Sequence, residues 1–345
     1  MKATYFKHKL QFKQASGTSR GVLTYKDTWF IELEENALNG IGECGMFKGL
    51  SIDDCDDFEL MLKWACQNID LGLEALLRRL VGFPSIQFGL EIAFRSLKHK
   101  SPFELFPSDF TSGQDSISIN GLIWMGEFSF MKQQIKDKLE AGFSCIKLKI
   151  GALDFDKELA LLKSIRDEFD SQSIEIRVDA NGAFKPREAL EKLKQLSDFN
   201  LHSIEQPIKH GQLEEMAQLC SDTPLPIALD EELIGVFSVT NKQFLLQTIK
   251  PQYIILKPTL LGGFKVSEEW IDVAESNKIG WWVTSALESN IGLNAIAQWT
   301  YTLNNTLPQG LGTGGLFTNN VQAPLVVNSG RLFYDLKTNT TGGFT

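Results

Sequence analysis

The chain has 345 residues, of which 43% are hydrophobic and 22% charged, as in an ordinary globular protein. Its net charge of -9 argues against a nucleic-acid partner, and no run of about 18 apolar residues is present to span a membrane. The five cysteines are scattered without a CxxC pair, which predicts reduced thiols and a cytoplasmic location instead of disulfides or a zinc site.

The N-terminal part of the chain predicts a small α+β module. Residues 1–36 alternate apolar and polar side chains, as in an antiparallel β-meander. The polar segment 14–21, QASGTSRG, interrupts this alternation and is either a turn or a mobile lid. Ser51 is the predicted N-cap of the first of three helical patterns. These patterns cover 52–68, 71–80 and 86–98.

From about residue 116, short apolar strands alternate with amphipathic helices, which predicts βα units and a parallel sheet. From the third strand onward the strand starts recur at about 26 residues, close to one unit of a (β/α)8 barrel. The eighth strand is weak by composition, and the segment LVVNSGRLFYDL at 325–336 predicts a strand pair that returns to the N-terminal module. The predicted strands are 117–124, 145–150, 174–180, 201–207, 226–231, 253–258, 280–288 and 307–315, and predicted helices include 156–169, 187–196 and 265–276.

The strand CIKLKI at 145–150 carries Lys147 and Lys149, whose side chains point to the same side because they are two residues apart. Taken alone, the pair fits an edge strand with two solvated lysines. The later strands favour a different interpretation, because charged residues also stand at their carboxyl ends. These residues are Asp179, Glu205, Asp230 and Lys257. Asp230 could also be a helix N-cap.

In a (β/α)8 barrel, the carboxyl ends of the strands form the active site. Asp179, Glu205 and Asp230 follow three neighbouring strands, so we expect them to gather at one side of the barrel mouth. Three carboxylates would raise one another's pKa unless a cation lay among them. Oxygen ligands without histidine or cysteine fit Mg²⁺ best, with Mn²⁺ as a substitute.

Lys149 and Lys257 lie on the second and sixth strands, which face each other across an eight-stranded barrel. A lysine acts as a general base when its pKa falls to about 7–8, and both Lys147 and a metal would lower the pKa of Lys149. This arrangement suits removal of a proton next to a carboxylate, with the metal stabilising the enediolate. The expected partner is therefore a small-molecule carboxylate, with no nucleic acid and no membrane.

These motifs resemble those of the muconate-lactonizing-enzyme subgroup of the enolase superfamily, over nearly the whole chain. The resemblance implies an α/β fold with a modified (β/α)8 TIM barrel at 113–317 and an α+β capping domain at 1–112, to which 318–345 returns. The run GMFKGL at 45–50 departs from the proline-containing segment that is common in the subgroup. The matching motifs are KLK (147–149), VDANGAF (178–184), IEQP (204–207), LDEEL (229–233) and LKPTLLGG (256–263).

The runs at 284–299 and 309–317 are most similar to the o-succinylbenzoate synthase family. This resemblance implies a lyase that performs the Mg²⁺-dependent syn-dehydration of 2-succinyl-6-hydroxy-2,4-cyclohexadiene-1-carboxylate to o-succinylbenzoate, a step toward menaquinone. By motif, Lys149 abstracts the proton alpha to the carboxylate and helps the hydroxyl to leave. Lys257 stabilises the enediolate as a cation, and Lys147 contacts the carboxylate and tunes Lys149.

The same resemblance implies the roles of the surrounding residues. Asp179, Glu205 and Asp230 are the implied metal ligands. Asn181 and Arg177 are implied to hold these ligands in place without binding the metal themselves. The implied substrate contacts are Ser285, Ser289, Gly262 and Gly263, and the implied lid is Ser16, Gly17, Thr18, Ser19 and Arg20.

Two other functions stay open. An N-acylamino-acid racemase or a dipeptide epimerase of the same subgroup would also use two opposed lysines, although GTGGLF at 312–317 lacks the acidic pair of dipeptide epimerases. A non-catalytic binding barrel would not need all six charged positions. A homo-oligomer is compatible with the sequence, which does not fix the oligomeric state.

Overall fold

The computed structural model describes residues 1–18, 21–99, 103–124 and 126–338. The chain begins with an antiparallel sheet of three strands in the order β1-β2-β3. The alternation in β2 buries Trp29, Ile31 and Leu33 in one cluster with the helices that follow, whereas Phe30 belongs to a separate cluster with Ile291. The sheet is therefore covered on both faces. Its strands are β1 (Lys2–Thr18), β2 (Gly21–Glu35) and β3 (Leu38–Cys44).

The predicted loop at 14–21 is shorter than expected, because pairing between β1 and β2 continues into it. After a register shift beyond Gln11, the backbones of Ser16, Gly17 and Thr18 pair with 23, 22 and 21. These three positions extend a two-stranded ribbon instead of forming a loop. Ser19 and Arg20 lie outside the described residues, so the lid stays a prediction.

Three helices, α1 (Phe58–Gln67), α2 (Leu73–Arg79) and α3 (Pro84–Ser96), pack against this sheet. The predicted N-cap at Ser51 was wrong, because α1 begins after Asp57. The Ser51 hydroxyl accepts a hydrogen bond from the Phe47 N–H at 2.8 Å. Asp53 accepts bonds from the N–H and the hydroxyl of Ser85 at 2.9 and 2.6 Å. The segment before α1 thus binds the first turn of α3 and is not available to extend α1.

The second sheet has seven parallel strands in the order β11-β10-β9-β8-β7-β6-β5. The predicted strand at 117–124 divides into β4 (Ser116–Ser118), which pairs elsewhere, and β5. The strands of the second sheet are β5 (Gly121–Ile123), β6 (Cys145–Lys149), β7 (Glu175–Asp179), β8 (Ser203–Glu205), β9 (Ile227–Leu229), β10 (Tyr253–Leu256) and β11 (Gly280–Val283).

The eighth strand of the barrel consists of Gln309 and Gly310 alone. Each forms one isolated parallel bridge, Gln309 with Ile119 and Gly310 with Thr284, so the two residues close the sheet between β11 and the start of β5. The buried Gln309 side chain adds a bond, since its Oε1 accepts from the Val283 N–H at 2.7 Å. Proline and glycine in this segment shorten the predicted strand at 307–315, because proline lacks a backbone N–H and glycine is a poor strand former.

Helices on the outside of the barrel bury the apolar faces that the sequence patterns predict, and they share one large core with the strands. The predicted helices at 156–169, 187–196 and 265–276 correspond to α5, α6 and α10. No helix within the described ranges is long and apolar enough to cross a membrane. The helices are α4 (Phe128–Glu140), α5 (Phe155–Arg166), α6 (Pro186–Ser197), α7 (Leu213–Asp222), α8 (Val239–Ile249), α9 (Pro258–Leu261), α10 (Phe264–Ser276) and α11 (Asn290–Thr302).

The C-terminal segment contacts both parts of the molecule. The Thr318 N–H donates to the Gln11 carbonyl at 2.8 Å, and Val321 and Ala323 pack with Phe30 of β2. The strand pair that follows, β12 (Leu325–Asn328) and β13 (Arg331–Tyr334), pairs through β13 with β4 and not with the N-terminal sheet. The division into 1–112, 113–317 and 318–345 stays a proposal.

Glu91 joins the N-terminal helices to the barrel. Its carboxylate lies at the first turn of α10, where it accepts hydrogen bonds from the Phe264 and Lys265 N–H groups, the latter at 3.3 Å. Burial raises the pKa of Glu91 to about 7, although these two N–H groups oppose the shift. Ionised Glu91 is therefore less favourable in the folded protein than in the unfolded chain.

We expect Glu91→Gln to stabilise the protein increasingly as the pH rises. Because the folded pKa lies above the unfolded one, wild type loses stability between about pH 4 and about pH 7, whereas the variant does not. The difference in free energy of unfolding should approach about 3 kcal/mol at about pH 8 and nearly vanish at about pH 4. Urea unfolding at both pH values measures it. The exposed Glu214→Gln is the control, and an equal difference at both pH values would contradict the assignment.

Candidate active site

The three predicted carboxylates lie together at the carboxyl ends of adjacent strands. Asp179 ends β7, Glu205 ends β8 and Asp230 directly follows β9. Their exposed fractions are 0%, 2% and 3%, so all three are removed from water. Since the strands are parallel neighbours in one sheet, the order predicted from the sequence brings these side chains to one place.

Three ammonium groups face these carboxylates. Lys147 Nζ lies 2.9 Å from Asp179 Oδ2 and also contacts Glu205. Lys149 Nζ lies 2.6 Å from the same Asp179 oxygen. Lys257 contacts Asp230 and lies 3.9 Å from Glu205 Oε1. The site therefore holds three positive side chains and three negative ones within a single network.

The charges are not equally compensated. Burial opposes ionisation of Asp179, but the two lysines beside it outweigh burial and hold its pKa below the usual range. The pKa of Glu205 is raised well above the usual value by burial and then by the neighbouring Asp179, despite the contact with Lys147. Glu205 is thus the carboxylate at which a further cation would stabilise the ionised form most.

The donor set fits a hard divalent cation. Glu205 Oε1 is buried and has no hydrogen-bond partner, which leaves one carboxylate oxygen unsatisfied in the middle of the network. Oxygen-only donors are the ligands that Mg²⁺ prefers. Across the described stretches of chain, no group of three or more acidic, histidine or cysteine side chains is arranged to hold a metal ion as it stands. All three site carboxylates contact lysines. Asp179, Glu205 and Asp230 are the residues that could hold it.

Asn181 orients Lys149. Its Oδ1 accepts from Lys149 Nζ at 2.7 Å, and its Nδ2 donates to Glu231 Oε1 at 3.2 Å. Its own N–H donates to Asp179 Oδ1 at 2.9 Å. Asn181 has a φ of 44°, a left-handed conformation that asparagine tolerates better than most residues. The predicted supporting position of Asn181 therefore has a physical basis in these contacts.

Arg177 lies one layer deeper in the barrel than Asp179. Its Nε pairs with Glu175 at 2.7 Å, its Nη1 donates to the Pro308 carbonyl at 2.9 Å, and its guanidinium lies 4.2 Å from the Trp282 ring centroid. As far as the described chain extends, these partners belong to the barrel interior and not to the carboxylate network. The contacts assign Arg177 to packing of the barrel interior.

A cavity above the network is lined by all three lysines and by an apolar wall. Phe47 and Leu50 reach it from the N-terminal part of the chain, and Leu122, Trp124 and Leu287 reach it from the barrel. Sequence reasoning missed Phe47 and Leu50. The signal was the unusual run GMFKGL at 45–50, which places two large apolar residues in a turn.

Only one of the four predicted substrate contacts reaches this cavity. Ser285 lines it, and its hydroxyl is bonded to the Thr313 hydroxyl at 2.6 Å. The Ser289 hydroxyl instead donates to Glu43 at 2.6 Å. Gly262 and Gly263 have φ values of 113° and 99°, and a Cβ on them would collide with Gln87 and Glu91 of α3. The glycines are needed for the close approach of α3, and neither of them lines the cavity.

Residues 131–335 match the family described as Enolase C-terminal domain-like. The o-succinylbenzoate synthase of Desulfotalea psychrophila is 47% identical to this chain, over 96% of the chain and 98% of that protein. This chain belongs to the o-succinylbenzoate synthase family. The crystal structure of MenC from Desulfotalea psychrophila LSv54 matches this member of the family with a TM-score of 0.86 and 45% identity, over 96% of this chain and 99% of that one.

The fold of this o-succinylbenzoate synthase family member also occurs in proteins that are more distant in sequence. The dipeptide epimerase from Enterococcus faecalis V583, complexed with Mg and the dipeptide L-Leu-L-Tyr, matches with a TM-score of 0.83 at 20% identity. That match covers 100% of this chain and 99% of the epimerase chain. The predicted architecture, a modified barrel with an α+β capping domain, is confirmed.

We expect Lys147→Met to destabilise the metal-free protein strongly. The change removes the ammonium that contacts both Asp179 and Glu205 and leaves buried carboxylates less compensated. The free energy of unfolding in EDTA should fall by about 3 to 5 kcal/mol, the usual result of breaking a buried pair. Urea unfolding measures this change. Lys163→Met, which breaks an exposed pair on α5, should change it by less than about 0.5 kcal/mol. Equal effects would mean that Lys147 is not buried against the carboxylates.

Proposed function

We propose that the protein is an o-succinylbenzoate synthase, a lyase that dehydrates 2-succinyl-6-hydroxy-2,4-cyclohexadiene-1-carboxylate to o-succinylbenzoate on the route to menaquinone. The full-length identity of 47% supports the reaction. The observation that carries the chemistry is the position of Lys149 and Lys257 on one cavity. They stand at the ends of β6 and β10, four strands apart in the sheet order, so a substrate would lie between them.

Lys149 is the proposed base and acid of the reaction. As a neutral amine it takes the proton from the carbon next to the substrate carboxylate. Its ammonium then gives that proton to the hydroxyl group, which leaves as water. The C–H and C–O bonds break on the same face, and the electron pair of the C–H bond completes the aromatic ring. Contacts with Asp179 and Asn181 hold the side chain in place for both steps.

Lys257 is proposed to act as a fixed cation. Burial lowers its pKa, but Asp230 and Glu205 outweigh burial and raise it above the ordinary value, so the group stays protonated. A protonated lysine opposite the base would stabilise the charge that develops on the enediolate oxygens. Lys147, whose pKa is likewise raised by Asp179 and Glu205 against the effect of burial, would bind the substrate carboxylate.

Asp179, Glu205 and Asp230 are proposed to hold Mg²⁺, with Mn²⁺ as a substitute. When bound, the metal supplies Lewis-acid stabilisation of the enediolate oxygens. We also propose a cytoplasmic location, in keeping with five free cysteines, and a small-molecule carboxylate as the only partner needed for the reaction. Homo-oligomer formation is compatible with this function but is not required by it.

Arginine substitutions should separate the two lysine roles. Arginine keeps the positive charge but cannot be deprotonated, so it can replace a cation but not a base. We expect Lys149→Arg and Lys149→Ala each to lose about 10³-fold or more in kcat. Lys257→Arg should retain at least about tenfold more activity than Lys257→Met. Formation of the aromatic product, followed by ultraviolet absorbance, measures both.

The control for these variants is their circular dichroism spectrum, which should match that of wild type. If Lys149→Arg keeps near wild-type activity, Lys149 is not the base. If Lys257→Arg and Lys257→Met are equally inactive, a fixed charge is not what Lys257 provides.

Removal of metal should abolish the reaction, and Mg²⁺ should restore it. We expect Glu205→Gln to raise the Mg²⁺ concentration for half-maximal activity by about tenfold or more, because a ligand oxygen loses its charge. Calorimetric titration of the protein with Mg²⁺ gives a second measure that is independent of turnover. Activity that is unaffected by EDTA would contradict the proposed ligand set. Mn²⁺ in place of Mg²⁺ should restore part of the activity.

A racemase that acts on N-succinyl amino acids is the second candidate, because lysines on opposite sides of one cavity also suit proton transfer between two faces. Incubation with an N-succinyl amino acid and Mg²⁺ in D₂O distinguishes the two. Fast dehydration with little α-deuteration supports the synthase. Fast deuterium entry from both faces would make the racemase the main activity.

A further inference from the structure

A buried polar cluster joins the capping domain to the barrel beside the cavity. We call it the interface cluster, and its members, with exposed fractions of 0% except for 7% at Lys26, are Lys26, Thr28, Glu43, Thr259, Glu288 and Ser289. The first three lie in or next to the N-terminal sheet, and the other three belong to the barrel. Buried charges are stable only when they are paired or hydrogen-bonded.

The hydrogen bonds of Glu43 come from groups other than Lys26, although the two charges attract each other. Its carboxylate accepts from the Thr28 hydroxyl at 2.8 Å, from the Ser289 N–H and hydroxyl at 2.9 and 2.6 Å, and from the Gly292 N–H at 2.9 Å. The last two residues belong to the start of α11, whose helix dipole favours a negative charge there. A Cβ at position 292 would lie 2.9 Å from Glu43 Oε2, so glycine permits this approach.

Lys26 instead holds the wall of the cavity. Its ammonium donates to the carbonyl of Leu287 at 3.0 Å and to the carbonyl of Ala286 at 3.3 Å. Both residues line the cavity. Leu287 has a φ of 60°, a conformation that non-glycine residues rarely adopt and keep only when their surroundings impose it. Lys26 is thus bonded to a strained segment of backbone that lies 260 residues away in the sequence.

Glu288 binds the same segment of backbone, at an N–H group instead of a carbonyl. Its carboxylate accepts from the Ala286 N–H at 2.8 Å and from the Thr259 hydroxyl. Lys26 and Glu288 also interact electrostatically, and the pKa of Glu288 is raised by burial despite the nearby ammonium. Two explanations of Lys26 follow: it either compensates buried negative charge or fixes the backbone of the wall.

We propose that Lys26 is a positioning residue of the capping domain that fixes the backbone of Ala286 and Leu287 and thereby determines how tightly the substrate is held against the catalytic lysines. This role rests on the proposed dehydration. Lys26 lies behind the wall and is not among the described residues that line the cavity. Its hydrogen bonds to the wall are those to the two carbonyls, and its ammonium also lies 5.8 Å from the ring centroid of Phe47. Binding of the substrate, more than the chemical step, therefore depends on it.

Four proteins test the proposal: wild type, Lys26→Met, the double variant Lys26→Met with Glu288→Gln, and Lys265→Met. Lys265→Met is the matched control, because it removes an exposed ion pair with Glu74 that also joins the two domains. In the double variant, the glutamine oxygen can accept from the Ala286 N–H and its amide NH2 can donate to the Thr259 hydroxyl, so both partners are kept while the charge is removed. It restores charge balance without restoring the bonds of Lys26.

We expect Lys26→Met to raise KM for the cyclohexadiene substrate by about tenfold or more, the usual weight of a hydrogen bond from a charged group, with kcat changed less than about threefold. The double variant should recover thermal stability but keep the raised KM. Lys265→Met should have the KM of wild type. If the double variant recovers the wild-type KM, or if Lys26→Met lowers only the melting temperature, charge compensation is the explanation and the proposal is wrong.

Hydrogen–deuterium exchange gives a measure that does not depend on the reaction. Peptides that cover residues 284–289 should take up deuterium faster in both Lys26→Met proteins than in wild type and Lys265→Met. Unchanged uptake in both would overturn the proposal even if KM rises. If wild type does not dehydrate the substrate at all, the proposed function fails, whereas the exchange result still decides whether Lys26 fixes the wall.

Discussion

The barrel mouth depends on gathering three carboxylates where almost no water reaches them. Asp179, Glu205 and Asp230 tolerate burial because three lysines face them. Among these three carboxylates, Glu205 is the one whose negative charge is incompletely compensated, because one of its oxygens has no hydrogen-bond partner. Without the lysine ammonium groups, the buried carboxylates would destabilise the folded protein, and with them the network is rigid. The proposed binding of a metal ion and the fixed position of the lysines thus follow from the same electrostatic constraint.

The parts of this site that the sequence predicts are those governed by strand geometry. Lys147, Lys149 and Asp179 end up together because parallel strands in register bring their carboxyl ends to one edge, and that rule needs only strand order. Ser289 and the glycines at 262 and 263 were misplaced because their partners, Glu43, Gln87 and Glu91, come from the capping domain. No local pattern contains contacts between segments so far apart in the chain.

The fold was predictable to the same extent. Periodicity identified the helices of the barrel, whereas the start of α1 and the ribbon between β1 and β2 depend on tertiary bonds, such as that of Asp53 with Ser85, that override local preferences. The capping domain supplies side chains such as Phe47 to the cavity and a lysine behind its wall. The catalytic residues of the barrel were therefore easier to predict than the shape of the substrate cavity. The former belong to one sheet, whereas the latter is formed by two domains.

The two-residue eighth strand also affects how the chain assembles. The bridge between Ile119 and Gln309 closes the sheet with the partner farthest away in sequence, so closing it from the unfolded chain costs the largest loop-closure entropy of the barrel pairings. During synthesis, β5 and β11 remain open edges until the chain beyond Gly310 has emerged. Their lengths of three and four residues limit the surface that another nascent chain could pair with during that interval.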